Sequence, residues 1–570
     1  MDLRTANLTA HEGAVRAALA GIASAGVIRR IWNKDWTVWG REPDEIANRL
    51  GWLASAEDSL RDLPTLEALA RDVRREGYRE AVVLGMGGSS LAPEVLGLVF
   101  ATGEGACELS IHDSTDPAAV LAAARRLDLE HTLFLVSSKS GTTIETNSFF
   151  RYFYNLVSGL AGEGGAGRSF IVLTDPGTPL EHEAQALRFR AFIPGDPAIG
   201  GRFSVFSPFG MLPAALKGLD VRRLLNEGIR AAALCREEEP SRNPGVLLGT
   251  LLAVLAREGR DKLSLLVSEE IRPFGAWLEQ LVAESTGKGG RGILPVIEET
   301  PLADKAIGAD RFFVVLKLEN DPGLDAGLGT LAAQGVPHCV LSVPDRYGLG
   351  GQFFLWEMAT AVAGHVLGVN PFDQPDVESS KKIAGDLVRA FKDRGTRPEA
   401  SPTLVENGIS LYGDSSAPGL EAELRRFLEL ARPGDYAGLL AFLPPAPETE
   451  ALVRRLAGAI RERTGLVSTW GWGPRYLHST GQLHKGDAGR GLFVILTAGD
   501  AEDVPIPDGA GETRSSLSFG TLKASQAMGD FEALRAAGRR VLRLDLGKDI
   551  PAGLRLVESL VGFGWGKNSE

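Results

Sequence analysis

The sequence predicts an α/β protein assembled from several largely parallel sheets. Three observations carry this. Short β-branched runs alternate with helical patterns along most of the chain, the rhythm of βαβ units. Those runs are apolar throughout, as strands covered on both faces are. The chain has 570 residues, more than one hydrophobic core fills, so two or three domains are expected.

The first eighty residues read as mostly helical, with periodic segments "DEIANRLGWL" and "TLEALARDVRREG". Strand runs follow at "EAVVLG", "CELSIHD", "TLFLVS" and "SFIVLTDP", with a helix "DPAAVLAAARRL" and another after Thr143 between them. A second set holds "LSLLVS", "RFFVVLKL" and "HCVLSV", with helices "FGAWLEQLVAES" and "FFLWEMATAVAGHVLG". A third set, "YAGLLAFL", "LVSTWG", "GLFVILTA" and "RVLRLDL", comes after a polar, proline-containing stretch. The expected domains are 1–225, 226–395 and 396–570.

Composition excludes several classes. Apolar content of 44% and charged content of 24% are those of a soluble globular protein. A formal charge of −12 argues against nucleic acid and anionic membranes as partners, while leaving room for a local pocket that takes a small anion. Cys107, Cys235 and Cys339 lie far apart with no C-x-x-C pair, so no zinc site or disulfide framework is expected. That usage suits a reducing cytoplasm. The start "MDLRTANLTAHEGAVRAALAG" lacks a basic region followed by an apolar core, and no apolar run is long enough to span a bilayer.

Five short motifs carry chemistry. Gly85-Met86-Gly87-Gly88-Ser89-Ser90 follows a strand, where glycines admit a ligand to the backbone and a helix N-terminus favours an anion. The dinucleotide fingerprint is incomplete because Ser90 takes its sixth position. Asp113 or Asp116 as a ribose acid keeps a nucleotide reading open beside a tight-turn reading. The second motif, "SSKSGTTIET", crowds Ser138, Lys139, Ser140, Thr142 and Thr143 at a strand end. Thr142 with Glu145 fits a capping box, but the remaining hydroxyls and the lysine suit a phosphate dianion. In "GGRFSVFSPFG", Arg202 offers a permanent charge and a rigid fork for a developing oxyanion. In "AESTGKGGRG", Glu284 ends an apolar helix, where the dipole favours its protonated form and suits a base that must return a proton. "NPFDQPDVESSKK" places Gln374 and Lys381 around a helix start.

Together and in this order, "GMGGSS", "SSKSGTTIET", "GGRFSVFSP", "ESTGKG" and "GVNPFDQPDVESSK" resemble the phosphoglucose isomerase family. The final "GWGPRYLHSTGQLHKG" looks like the tail of the isomerase half of bacterial transaldolase–isomerase fusion proteins; nothing resembles the transaldolase half. The resemblance implies two sugar-isomerase (SIS) domains, each a parallel-sheet αβα sandwich, with a C-terminal α/β module. It implies interconversion of glucose 6-phosphate and fructose 6-phosphate through a cis-enediolate, with a small-molecule sugar phosphate as partner, no cofactor, no metal and a homodimeric assembly. Two alternatives are a non-catalytic sugar-phosphate-binding SIS protein and an enzyme that also takes mannose 6-phosphate. By this resemblance Gly88 and Ser89 line the sugar-phosphate site, and Ser138, Lys139, Ser140, Thr142 and Thr143 hold the phosphate. Arg202 steadies the enediolate, Glu284 moves the proton between C1 and C2, Gln374 contacts substrate and Lys381 aids ring opening.

The sequence departs from the family at one point. The histidine expected downstream of the base is absent from "VIEETPLADKAIGAD". His338 and His365 have strand and helix contexts and read as structural. His478 and His484 in "HSTGQLHKG" are the candidates to replace it.

Overall fold

Every strand run named above becomes a strand. In this computed structural model, which describes residues 3–162, 164–297, 299, 301, 305–394 and 401–562, β1 (Leu3–Ala6) is followed by β2 (Glu80–Gly85), β3 (Glu108–His112), β4 (Thr132–Ser137), β5 (Phe170–Thr174) and β6 (Ala191–Pro194). Strands β2 to β6 form an all-parallel sheet ordered β3-β2-β4-β5-β6. All six residues of β4 are buried, as the unbroken apolar run requires. The second sheet uses β7 (Lys262–Val267), β8 (Leu294–Val296), β9 (Arg311–Leu318) and β10 (His338–Val343), ordered β1-β10-β9-β7-β8. Here β1 runs antiparallel to β10 and the other pairs are parallel. Strand order reverses between β2 and β4 and between β7 and β9. Such switch points are where open α/β sheets bind ligands, beyond the carboxyl ends of the strands.

Packing divides the chain into two compact units. The first comprises Met1–Asp113, Arg126–Gln374 and His478–Leu483 and holds both of these sheets. One apolar core runs through it, from Ile31 and Trp52 through Phe203 and Leu251 to Phe353 and Phe372. The helices Pro244–Arg257 and Leu349–Leu367 meet in that core, so closely that a Cβ on Gly249 would lie 2.3 Å from the Ala359 carbonyl oxygen. The break expected at 225/226 falls inside the helix Val221–Leu234, whose Leu224 and Leu225 are buried in the same core.

The second unit comprises Ser114–Arg125, Pro375–Leu477 and His484–Glu570. Its strands are β11 (Leu404–Glu406), β12 (Ile409–Tyr412), β13 (Tyr436–Phe442), β14 (Val467–Trp472), β15 (Gly491–Thr497), the ribbon β16 (Pro505–Ile506) and β17 (Leu517–Ser518), and β18 (Arg540–Asp545). The main sheet runs β11-β12-β18-β15-β13-β14, parallel from β18 onward, over a core that includes Leu439, Leu456, Leu496, Leu544 and Leu554. The boundary expected at 395/396 lies outside the described residues. Among the described residues no helix is long and apolar enough to cross a membrane.

Two local expectations give way to tertiary contacts. Residues 44–53, read as an amphipathic helix, form the short 3₁₀ turns Ala47–Arg49 and Gly51–Ala54. The reason is backbone pairing: the Gly51 amide donates to the Ala198 carbonyl at 2.8 Å, and Leu50 bridges Ile199. The first residues, read as helical, supply β1 because their extended backbone completes the free edge of β10.

Inside the second unit, Asp530 is fully buried. It accepts hydrogen bonds from Ser380 Oγ (3.0 Å) and Tyr476 Oη (2.7 Å) and pairs with Lys485 Nζ (2.5 Å). Removing one partner of a buried ion pair strands the other charge. Asp530→Ala is therefore expected to lower stability by roughly 3–5 kcal/mol, read as the shift of a urea unfolding midpoint; an unchanged midpoint would show that the lysine finds another partner.

Candidate active site

Arg202 organises the site. It sits in the turn Gly201–Phe203 with 4% of its surface exposed. An unpaired charge there would be costly, and the guanidinium uses its whole fork of donors. Nε donates to Ser285 Oγ (2.7 Å), Nη1 to Gln374 Oε1 (3.0 Å), and Nη2 to the carbonyls of Pro371 (2.6 Å) and Asp373 (2.9 Å). Nη1 also lies 3.2 Å from Glu284 Oε1. Burial pulls the guanidinium pKa down from its ordinary value, and the Glu284 and Asp373 carboxylates oppose that pull. The pairing sets a cation directly on Glu284.

Glu284 occupies the last turn of the helix Phe274–Thr286. One turn earlier, Gln280 Nε2 donates both to Glu284 Oε2 (3.1 Å) and to the backbone carbonyl of His478 (2.8 Å). The segment His478–Leu483 lies along this helix. Ser479 Oγ reaches Glu279 Oε1 (3.4 Å), and Gln482 Nε2 donates to the Gly287 carbonyl (2.9 Å). A Cβ on Gly287 would meet Leu483 Cα at 2.4 Å, so glycine at the helix end is what lets the segment dock. The imidazole of His478 then meets Glu145: Nε2 is 3.1 Å from Glu145 Oε1.

Glu145 therefore has a different task from the capping box expected of it. Thr143, the N-cap residue of the helix Ile144–Ala161, makes no side-chain capping bond. The hydroxyls of the preceding loop pair with one another instead: Ser138 Oγ with Thr143 Oγ1 (2.9 Å), and Ser140 Oγ with Thr142 Oγ1 (3.0 Å). Ser138 is buried, while Ser140 and Thr142 face solvent. Lys139 turns away from this ladder. Its ammonium is held by Asp175 (2.7 and 2.5 Å) and the Asp196 carbonyl (2.7 Å). The two hydroxyl pairs and the N-terminus of an 18-residue helix stand at the carboxyl end of β4, beside the switch point.

The glycine loop lies at the end of β2, across that switch point. Its glycines serve backbone packing. A Cβ on Gly88 would lie 2.1 Å from the Gly201 carbonyl oxygen, and one on Gly87 would lie 3.0 Å from the His478 carbonyl oxygen. Ser89 is buried, and its carbonyl accepts from Ser137 Oγ at 3.2 Å.

Other expected residues have other partners. Lys381 belongs to the second unit, exposed on the helix Glu378–Arg394 and paired with Glu378 at 2.8 Å. His484 also belongs there, fully enclosed by Tyr436, Tyr476 and Phe493. Burial, with Lys485 and Arg539 nearby, holds its imidazole pKa well below the usual value, so this ring is neutral. Enclosure of this kind leaves the ring almost no exposed face. Asp116 is no ribose acid: one oxygen pairs with Lys523 (2.8 Å) and the other caps the following helix through the Ala118 amide (2.9 Å). His338 and His365 bond backbone carbonyls of Val336 and Val38, as structural residues do.

Four members of the site were not singled out from sequence for roles there: Gln280, Ser285, Glu145 and Lys288. Lys288 Nζ donates to the Asp373 carbonyl (2.5 Å) and to Asp373 Oδ1 (2.7 Å). Gln280 precedes Glu284 by four residues, the spacing that puts two side chains on one helix face, and that signal was available. Among the described residues, no group of three or more His, Cys, Asp or Glu side chains is placed to hold a metal ion.

Gly88→Ala is expected to force the glycine loop away from the Arg202 turn, because the obstacle is backbone. Overpacking of this kind costs about 1–3 kcal/mol. Thermal unfolding would show it, and an unchanged melting temperature would contradict the close approach.

The family profile for phosphoglucose isomerase matches residues 74–292. A glucose-6-phosphate isomerase of Methanocaldococcus jannaschii is 26% identical over 367 residues, covering 58% of this chain and 89% of that protein. One from Rubrobacter xylanophilus is 29% identical over 402 residues, covering 60% of this chain and 93% of its own. Among solved structures, a hypothetical protein from Thermus thermophilus superposes with a TM-score of 0.57 at 26% identity, over 68% of this chain and 99% of that one. Over residues 74–292 the chain is similar to the phosphoglucose isomerase family.

Proposed function

We propose that this protein is a glucose-6-phosphate isomerase, interconverting glucose 6-phosphate and fructose 6-phosphate in glycolysis and gluconeogenesis. One observation carries the reading. An unbroken series of contacts links the hydroxyl loop to the reacting groups, from the helix behind that loop through Glu145, His478 and Gln280 to Glu284 and Arg202.

Each part has a task. The hydroxyls of Ser138, Ser140, Thr142 and Thr143, with the helix N-terminus, match the terminal oxygens of a phosphate dianion. A carboxylate on Nε2 fixes the imidazole of His478 with its proton on that nitrogen, leaving Nδ1 as the proton acceptor. His478 then takes the O1 proton of the closed sugar and returns it to O5 as the C1–O5 bond breaks. Glu284 removes the C2 proton. The electron pair moves into a C1–C2 double bond and the negative charge onto O1, beside the Arg202 guanidinium. Glu284 delivers its proton to C1, the hydroxyl proton passes from O2 to O1, and the ketose forms. Three free, buried cysteines, Cys107, Cys235 and Cys339, suit a reducing, cytoplasmic setting.

Purified protein supplied with fructose 6-phosphate, coupled to oxidation of glucose 6-phosphate, is expected to show turnover; well-folded protein with none would sink the assignment. Glu284→Gln is expected to lower kcat by about 10²–10⁴-fold while inorganic phosphate still binds. His478→Gln is expected to lower kcat as well, whereas His484→Phe, which suits an aromatic pocket, leaves kcat unchanged. The reverse ranking of the two histidines would contradict the choice of His478.

A further inference from the structure

We propose that Lys288 is a positioning residue of this site: its ammonium latches the 371–374 turn onto Arg202, and turnover depends on that charge. The inference rests on the isomerase reading above, and it deepens it.

The acceptors that hold Arg202 lie on irregular backbone between the helix Leu349–Leu367 and the helix Glu378–Arg394. No strand or helix ladder fixes residues 371–374. Two anchors do. On one side the Phe372 ring packs edge-on against Trp39 at 5.1 Å and tilted against Phe203 at 5.2 Å. On the other, Lys288 grips Asp373 twice, through its carbonyl and its carboxylate. The Asp373 carbonyl thus receives both Lys288 Nζ and Arg202 Nη2. Gln374, the next residue, is bonded to Arg202 Nη1. Without the ammonium, the turn loses its grip on Asp373, and two of the acceptors that aim the guanidinium, the Asp373 carbonyl and Gln374, are free to shift. Misplacement by about 1 Å can cost 10²-fold in rate.

The charged groups facing Lys288 are Arg202 from its turn, Asp373 from the latched turn and Glu284 from the helix. Burial, then Arg202, lowers the lysine pKa to about 8, against the opposing pull of Asp373 and Glu284. The latch is therefore charged below that value and released above it. Stability moves the other way. The folded state binds fewer protons than the unfolded state between about 8 and the ordinary lysine value, so this group's contribution to stability grows as pH rises through that window. Activity falling while stability rises is a signature that general loosening of the fold would not give.

The test compares wild type, Lys288→Arg and Lys288→Met by pH–rate profile and by hydrogen exchange of the 368–376 peptide. Wild type is expected to lose kcat on a basic limb near pH 8. Lys288→Arg should carry that limb up by more than one pH unit, because guanidinium stays charged. Lys288→Met should drop kcat by about 10²-fold with no limb near pH 8, and its 368–376 amides should exchange faster than those of the other two. A methionine variant with wild-type kcat and exchange, or an arginine variant whose limb does not move, would overturn the proposal. A wild type that turns over no sugar phosphate would overturn the isomerase reading instead, and exchange in the three proteins would still decide the latch.

Discussion

A single buried guanidinium is the constraint on which the rest of the site depends. Arg202 draws its partners from 284–285 and from 371–374, stretches far from it in sequence, and meets them with hydrogen bonds in fixed directions. A charge so enclosed is tolerated only when paired and bonded, so correct folding of the first unit and correct aiming of the fork are the same event. The site is thereby organised before substrate arrives, which is the condition for electrostatic stabilisation of a developing oxyanion. The close approach of Gly88 to Gly201 extends the same logic to the loop across the switch point.

The segment His478–Leu483 is the second organising element. It completes the first unit although it lies more than a hundred residues beyond Gln374 in the chain. Side-chain amides at both ends hold it to the Glu284 helix, Gln280 toward His478 and Gln482 toward Gly287, and the bare helix end at Gly287 makes room for Leu483. In the proposed mechanism His478, with Glu145 as its carboxylate partner, supplies the histidine missing from its usual place in the sequence.

The strands and the ordered motifs were legible in the sequence because both are local. An apolar run such as 132–137 reads as a buried parallel strand without any knowledge of its neighbours, and a strand-end hydroxyl cluster reads as a dianion pocket in the same way. What could not be read was anything set by distant contacts. The 3₁₀ turns over 47–54 follow from pairing with 198–199. Glu145 looks like a capping residue until His478 arrives beside it. His478 and His484 are six residues apart in one motif and look alike there, yet one stands beside Glu145 and Gln280 and the other is sealed among aromatic rings. Lys139 and Lys288 are the matching case among cations. Lys139, in the hydroxyl-rich motif, pairs with Asp175, and Lys288, outside it, grips Asp373.

The proposed chemistry turns on one carboxylate serving two carbons. The most direct measurement follows tritium placed at C2 of glucose 6-phosphate through one turnover in ordinary water. A shuttling Glu284 predicts fructose 6-phosphate carrying part of the label at C1, with the rest released to solvent, because a carboxyl proton exchanges while the enediolate waits. Complete retention of the label at C1 would mean a hydride shift without a carboxylate intermediary, and would contradict it.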